Sequence, residues 1–129
     1  MAEIHIAAKK GDFCGVKKEL MKGVSINLRE RDEGYTPLHY ACRNGHYRIA
    51  KYLISNGADV LLWGKKMHYE TPLECAIRTG HTRLVKMAIN ICLEMRPALE
   101  KVYILERAIA YRRKGLVDFL LKKGTKRFF

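Results

Sequence analysis

An all-α solenoid of four helix-turn-helix repeats is the fold class this sequence predicts, on three observations. A stretch of about 35 residues recurs along the chain, each copy holds two short amphipathic segments separated by glycine, and the copies account for nearly all of the 129 residues. The most complete copy reads EGYTPLHYACRNGH at 33–46 and IAKYLISNGADV at 49–60. It returns 35 residues later as TPLECAIRTGH at 71–81, with Leu84 and Val85 under Ile49 and Ala50. Going back 34 residues, Ile4, His5, Ala7 and Gly11 fall under Leu38, His39, Ala41 and Gly45. Going forward 32 from the third copy, Leu105, Ala108, Leu116 and Val117 fall under Leu73, Ala76, Leu84 and Val85. One domain over 1–129 is expected, with repeats at about 2–34, 35–69, 70–101 and 102–124 and a short basic tail at 125–129.

Each element of a copy has a local physical reason. In Thr36-Pro37 the hydroxyl can cap the first amides of a helix, and proline fits its first turn, where a missing N–H costs nothing. Leu38 and Ala41, three apart, share a face, and the small alanine admits a neighbouring helix. Gly45 ends the helix in a left-handed conformation. A second helix is expected from about Tyr47 to Asn56, with Ile49, Ala50, Leu53 and Ile54 as its apolar stripe and Gly57 closing it. One hairpin cannot bury both helix faces, so stacking must supply the core.

The T-P-L-H-x-A run, the G-H turn and the G-A-D-V after the second helix resemble the ankyrin repeat. The resemblance covers about residues 2–124 and implies helical hairpins joined by short β-hairpin fingers. Ile26 to Thr36 spans ten residues and Val60 to Thr71 eleven, so both fingers are slightly enlarged. In the third connection Ile91-Cys92-Leu93-Glu94-Met95 replaces G-A-D-V, and Arg96-Pro97-Ala98-Leu99 reads as a helix start. That finger is expected to be shortened or replaced by a lengthened helix from about Pro97 to Tyr111.

The chain carries 25 Lys and Arg against 13 Asp and Glu, a formal charge of +12, with 48% hydrophobic residues. That hydrophobic share excludes a disordered polybasic tail, while the charge favours an acidic partner. The charge is graded: residues 103–129 hold eight basic and two acidic side chains, whereas the first 35 residues are nearly balanced. Cys14, Cys42, Cys75 and Cys92 lie in apolar helical segments without a C-x-x-C pair, which predicts reduced thiols in a cytoplasmic compartment. The start MAEIH has no signal-peptide pattern and no apolar run reaches spanning length, so an unanchored soluble chain is expected.

No catalytic constellation survives comparison with the repeat. His5 and His39 share one repeat position and His46 and His81 another, so the repeat explains four of the five histidines. Cys42 with His39 or His46 is a conceivable nucleophile pair, set against a buried thiol beside imidazoles that bond backbone. Metal-ligand spacing is absent, and Gly64-Lys65-Lys66 lacks the remainder of a phosphate loop. The expectation is therefore a non-enzyme with no metal, cofactor or small-molecule substrate.

The resemblance implies that a partner docks on the concave side, formed by finger tips and the exposed face of each first helix. Position by position this gives Lys9 and Lys10; Asp32, Glu33, Tyr35, Arg43 and Asn44; Met67, His68, Glu70, Arg78 and Thr79; and Ala110 and Tyr111. Tyr35, Arg43, Asn44, Met67, His68, Arg78 and Tyr111 are expected contacts, with finger packing as the other role for Tyr35 and Met67. Trp63 is either a contact too or a finger anchor on Leu61 and Leu62. A second candidate surface is the basic patch Arg107, Arg112, Arg113, Lys114, Lys122 and Lys123, which either caps the last repeat with a solvated face or binds phosphate or acidic protein. The expected function is a non-catalytic interaction module of adaptor, inhibitor or effector type, monomeric alone, binding an acidic or mixed protein surface. The alternative is nucleic-acid or anionic-lipid binding through the basic C-terminal repeat.

Overall fold

Three of the helices begin where a side chain accepts from one of their first amides. The computed structural model describes residues 2–62, 64, 70–95 and 101–122. Asp12 Oδ1 accepts from the Gly15 amide at 3.0 Å and opens α2 (Phe13–Met21). Thr36 and Thr71 hydroxyls accept from the amides of His39 at 3.4 Å and Glu74 at 3.1 Å, opening α3 (Pro37–Arg43) and α5 (Pro72–Thr79) with proline first in each. The other described helices are α1 (Glu3–Lys10), α4 (Tyr47–Ser55), α6 (Thr82–Met95), α7 (Lys101–Ala110) and α8 (Lys114–Lys122).

Consecutive helices pack as hairpins, α1 with α2, α3 with α4, α5 with α6 and α7 with α8. The first helices α1, α3, α5 and α7 then stack in one row and the second helices α2, α4, α6 and α8 in another. Repeat positions explain the core between them. Ala41, Ala76 and Ala108 are fully buried where helices approach most closely, and Ile49, Leu84 and Leu116 at one second-helix position are at most 2% exposed. At another position Ala8, Cys42 and Ile77 are covered by the next repeat, whereas Ile109 in α7, over which no described helix packs, is 53% exposed.

A polar seam fixes the stacking register. Gly11, Gly45 and Gly80 end the first helices or their following turn with φ of 84°, 73° and 85°. Over each sits a side chain of the following repeat, which takes the last carbonyls of the helix. His46 Nε2 donates to Lys9 O at 3.0 Å, joined by Asn44 Nδ2 at 3.0 Å, and His81 Nε2 donates to Arg43 O at 3.3 Å. In the fourth copy arginine replaces histidine: Arg113 Nε donates to Ile77 O at 3.0 Å and its Nη2 to Arg78 O at 2.8 Å. A Cβ on Gly45 would lie 2.5 Å from the His81 ring, so glycine is required both for its conformation and for the close approach. Arg112, in the glycine's place in the last copy, adopts φ 57°; no further described repeat covers it, and only the backbone cost remains.

One expectation is corrected, and one region departs from the repeat beyond what was expected. Among the described residues no strand is assigned in the fingers. The first finger instead closes on one backbone bond, Glu30 N–H to Tyr35 O at 2.9 Å, and on the Glu30 carboxylate, which accepts from the amides of Asp32 at 3.1 Å, Glu33 and Tyr35 at 3.4 Å. A side chain thus satisfies amides that a ladder would otherwise pair. α7 runs from Lys101 to Ala110, within the helix expected from about Pro97 to Tyr111, whose start at 96–100 lies outside the described residues; α6 is lengthened as well, running 14 residues to Met95 where α2 and α4 have nine. Without Gly-Ala-Asp-Val to stop it, an apolar sequence of good helix formers simply continues.

The seam makes glycine substitutions unequal. Gly23 also has positive φ (93°) but open space around a Cβ. Thermal or urea unfolding should show Gly23→Ala losing only the left-handed cost of about 1–2 kcal/mol, Gly45→Ala losing distinctly more, and Arg112→Gly gaining about 1 kcal/mol.

Candidate interaction surface

The seam that joins repeats also presents side chains. Lys9, Arg43 and Arg78 occupy one repeat position in the last turn of α1, α3 and α5, and all three are exposed. The carbonyl of each is the one held by the next repeat, so the backbone beneath this basic row is fixed. Lys10, Asn44 and Thr79 follow at the next position and are also exposed, but the Asn44 amide is committed to Lys9 O. Arg43 lies 5.9 Å over the Tyr35 ring, and Arg78 is paired with Glu70 through Nε to Oε2 and Nη2 to Oε1, the latter at 3.2 Å.

Beneath this row two imidazoles tie first helices to the connections. The Thr36 amide donates to His39 Nδ1 at 3.0 Å, so the ring proton sits on Nε2, which donates to Glu70 O at 2.8 Å. His5 repeats the arrangement, accepting from the Ala2 amide at Nδ1 (3.2 Å) and donating from Nε2 to Leu28 O at 2.7 Å. Burial lowers both histidines, His39 to about 4, so both rings are neutral at neutral pH. Rings stack around them: Tyr35 lies on His39 at 4.8 Å and meets Tyr40 edge-on at 5.8 Å, and Tyr40 meets His5 at 6.0 Å. Burial pushes Tyr40 up to about 12.

The sequence candidates separate accordingly. Tyr35 is 4% exposed, so its ring is buried in the finger base rather than offered to a partner. Arg43 and Arg78 are exposed in the basic row, Asn44 bridges repeats while remaining exposed, and Tyr111 is half-buried against the core. Trp63, Met67 and His68 lie outside the described residues, as does Lys123. The expected basic patch does not stand as one free surface. Arg113 is spent on the carbonyls at the end of α5, Arg107 lies 3.8 Å from the Glu74 carboxylate, and Arg112, Lys114 and Lys122 remain exposed. Cys14, expected in an apolar setting, is exposed, whereas Cys42 and Cys75 are buried. Cys42 is 1% exposed and both nitrogens of His39 are committed, so the conceivable nucleophile pair is not assembled.

Two residues of the site were not anticipated from the sequence. Glu30 is 5% exposed; burial alone would raise its carboxyl, but the amides of Glu33, Asp32, Tyr35 and Gly34 hold it below the usual carboxylate range and shape the finger tip. Glu70, named only as a surface position, is a junction. Its carbonyl receives His39 and the Gly64 amide at 3.2 Å, and its carboxylate receives Arg78 and the Cys75 thiol at 3.3 Å. Burial would raise Glu70, yet the Arg78 and Cys75 bonds keep it low. The one signal available was placement: both residues stand inside enlarged fingers, where a charge must be paired or solvated.

A family model described as ankyrin repeats (3 copies) matches residues 3–63. Protein phosphatase 1 regulatory subunit 27 of Homo sapiens is 44% identical over 59 residues, covering 46% of this chain and 38% of that protein. Ankyrin repeat domain-containing protein 40 of Mus musculus is 40% identical over 53 residues, 41% of this chain and 15% of that protein. Acyl-CoA-binding domain-containing protein 2 of Arabidopsis thaliana is 41% identical over 56 residues, 43% and 16% respectively. The chain thus matches well under half the length of each of these relatives.

Two measurements test the chemistry of the site. The unfolded chain protonates its histidines near pH 6.5 while folded His39 resists down to about 4, so stability is full above pH 6.5 and falls as pH drops through that window. His39 contributes up to about 1.4 kcal/mol per pH unit, and urea titrations at pH 7 and pH 5 should show a smaller difference for His39→Gln than for the parent. Arg113→Ala should cost about 1.5–3 kcal/mol through lost charged hydrogen bonds, while Lys114→Ala stays within about 0.5 kcal/mol of the parent.

Proposed function

Because the chain belongs to the ankyrin repeat family, whose repeats are protein-interaction modules, we propose that it is a non-catalytic binding protein. In this reading the first-helix and finger side engages an acidic or mixed surface of another protein. The observation that carries it is the basic row Lys9, Arg43 and Arg78, exposed at equivalent positions of consecutive repeats over carbonyls locked by the seam. The row stands on a fixed backbone, Arg43 offers a carboxylate two parallel donors, and Arg78, paired with Glu70, sets an acidic group of the chain itself beside it. Asp32 and Arg31, both exposed on the first finger, add the mixed character. The relative named as a phosphatase regulatory subunit supports a mode of action in which the protein acts by occupying another protein.

The alternative, nucleic acid or anionic lipid at the C-terminal repeat, loses support because Arg113 and Arg107 are engaged with neighbouring repeat groups. Affinity capture from a native lysate, followed by titration of the captured partner, tests the proposal. Arg43→Glu and Arg78→Glu should each weaken binding at least about tenfold, equivalent to about 1.4 kcal/mol, with Lys114→Glu little changed. Equal affinity in the parent and both arginine variants would discard this face.

A further inference from the structure

The second-helix row holds chemistry that the first-helix face does not use. Phe13, Lys17, Leu20 and Val24 recur at one-face spacing along α2 and the turn after it, and Arg48, Tyr52 and Asn56 do so along α4 and its cap. The two stripes are in register. Arg48 lies 4.2 Å over the Phe13 ring, and the Lys17 ammonium lies 5.5 Å from Phe13 and 6.0 Å from Tyr52. Beyond Tyr52 they border a shallow, open groove of about 310 Å³, lined by the side chains of Leu20, Met21, Val24 and Ile26 together with Tyr52 and Asn56. Met21 at its edge is 84% exposed, although large apolar side chains elsewhere in the described residues are mostly covered. Two exposed cations therefore stand beside a shallow furrow that carries Leu20, Met21, Val24 and Ile26.

The cations here are held without being neutralised. A contact with a ring face orients a guanidinium or ammonium but leaves its charge for a second partner. α4 contains no acidic residue, and the acidic residue within α2, Glu19, pairs with Lys22 at 2.9 Å and lines a separate hollow with Lys18. Arg83, 4.0 Å over Tyr47, repeats the Arg48–Phe13 arrangement on the next repeat and extends the cationic end.

We propose that this furrow docks a short acidic peptide segment of a partner protein, with carboxylates on Arg48 and Lys17 and one aliphatic side chain in the groove. Arg48 and Asn56 are about 12 Å apart along the helix, which an extended strand covers in about four residues at 3.3 Å each. The segment should thus carry its acidic residues about four positions from the aliphatic one. A nucleic acid or an anionic bilayer could satisfy the cations, but a nucleic acid brings no aliphatic side chain to Leu20, Met21, Val24 and Ile26, and a bilayer sets no fixed spacing between its charges and one aliphatic group, so the observations favour the peptide.

The test titrates the ¹⁵N-labelled full chain with the synthetic octapeptide Ser-Glu-Glu-Ser-Gly-Leu-Ser-Ser. Amide shifts should move within 13–26 and 48–56 and stay fixed within 37–43 and 72–79. Lys17→Glu and Arg48→Glu, at exposed positions where folding can be verified by an unchanged melting curve, should each weaken the peptide about tenfold or more, and replacing its leucine with serine should do the same. Met21→Asp should weaken it with both cations intact. The proposal is overturned by an absence of shifts in 13–26 and 48–56 at millimolar peptide. It is equally overturned if the serine peptide binds as well as the leucine one, or if a single-stranded RNA dodecamer or phosphatidylserine vesicles bind this face more tightly than the peptide.

Discussion

The first helices α1, α3 and α5 each end in a tight left-handed turn whose carbonyls are taken by a side chain from the next repeat, and the remaining architecture depends on that contact. Helix C-termini leave carbonyls without partners. Here they are satisfied across the repeat boundary, by His46, His81 and Arg113 in turn. The imidazole or guanidinium can reach them only because Gly11, Gly45 and Gly80 lack a Cβ. One hydrogen-bonded contact therefore sets the register of stacking, closes off the apolar layer beneath it and decides which side chains at the helix ends are left facing outward. The change to arginine at the last boundary keeps the contact and adds a positive charge at a helix C-terminus, where the peptide dipoles favour it.

That seam also sorts the charge. A formal +12 suggests a diffuse attraction for anything acidic. In the folded chain the cations fall into distinct environments: Arg113 in the seam, Arg107 beside Glu74, Arg48, Arg83 and Lys17 on aromatic faces, and an exposed row of Lys9, Arg43 over Tyr35 and Arg78 paired with Glu70. Two surfaces result, one on each helix row. They differ in kind: the first-helix row offers cations beside finger carboxylates, while the second-helix surface sets cations beside a shallow groove carrying Leu20, Met21, Val24 and Ile26. Both are compatible with recognition of protein carboxylates, and each can be disabled without touching the other.

Much of the fold was legible because the repeat is a local grammar. Threonine and proline begin helices at 36–37 and 71–72, glycine ends them at 45 and 80, and apolar residues at helical spacing mark the buried stripe of α4. The boundary between α6 and α7 was less legible. Loss of the glycine-containing stop after Asn90 points to a shortened finger or a longer helix from about Pro97, and does not foresee that α6 itself runs on to Met95 while packing against α4 and α8. The site was harder still. Tyr35 looks like a contact residue in sequence because tyrosine suits interfaces, yet stacking on His39 buries it. Glu30 looks like a solvated charge in a polar finger, yet it is the acceptor around which the finger tip turns.

The sequence by itself determined the repeat, its helical hairpins, the threonine caps and the glycine stops, because these follow from neighbours within a few residues or from strict repetition. Only the tertiary structure decided what each charge does. Arg112 and Arg113 are adjacent in the chain and chemically identical, but one occupies a strained, exposed turn and the other clamps the end of a helix 35 residues away. That difference is set by which repeat lies over them. Contacts between residues about one repeat apart, brought together by stacking, separate a cation that holds the fold from one that is left to meet a partner.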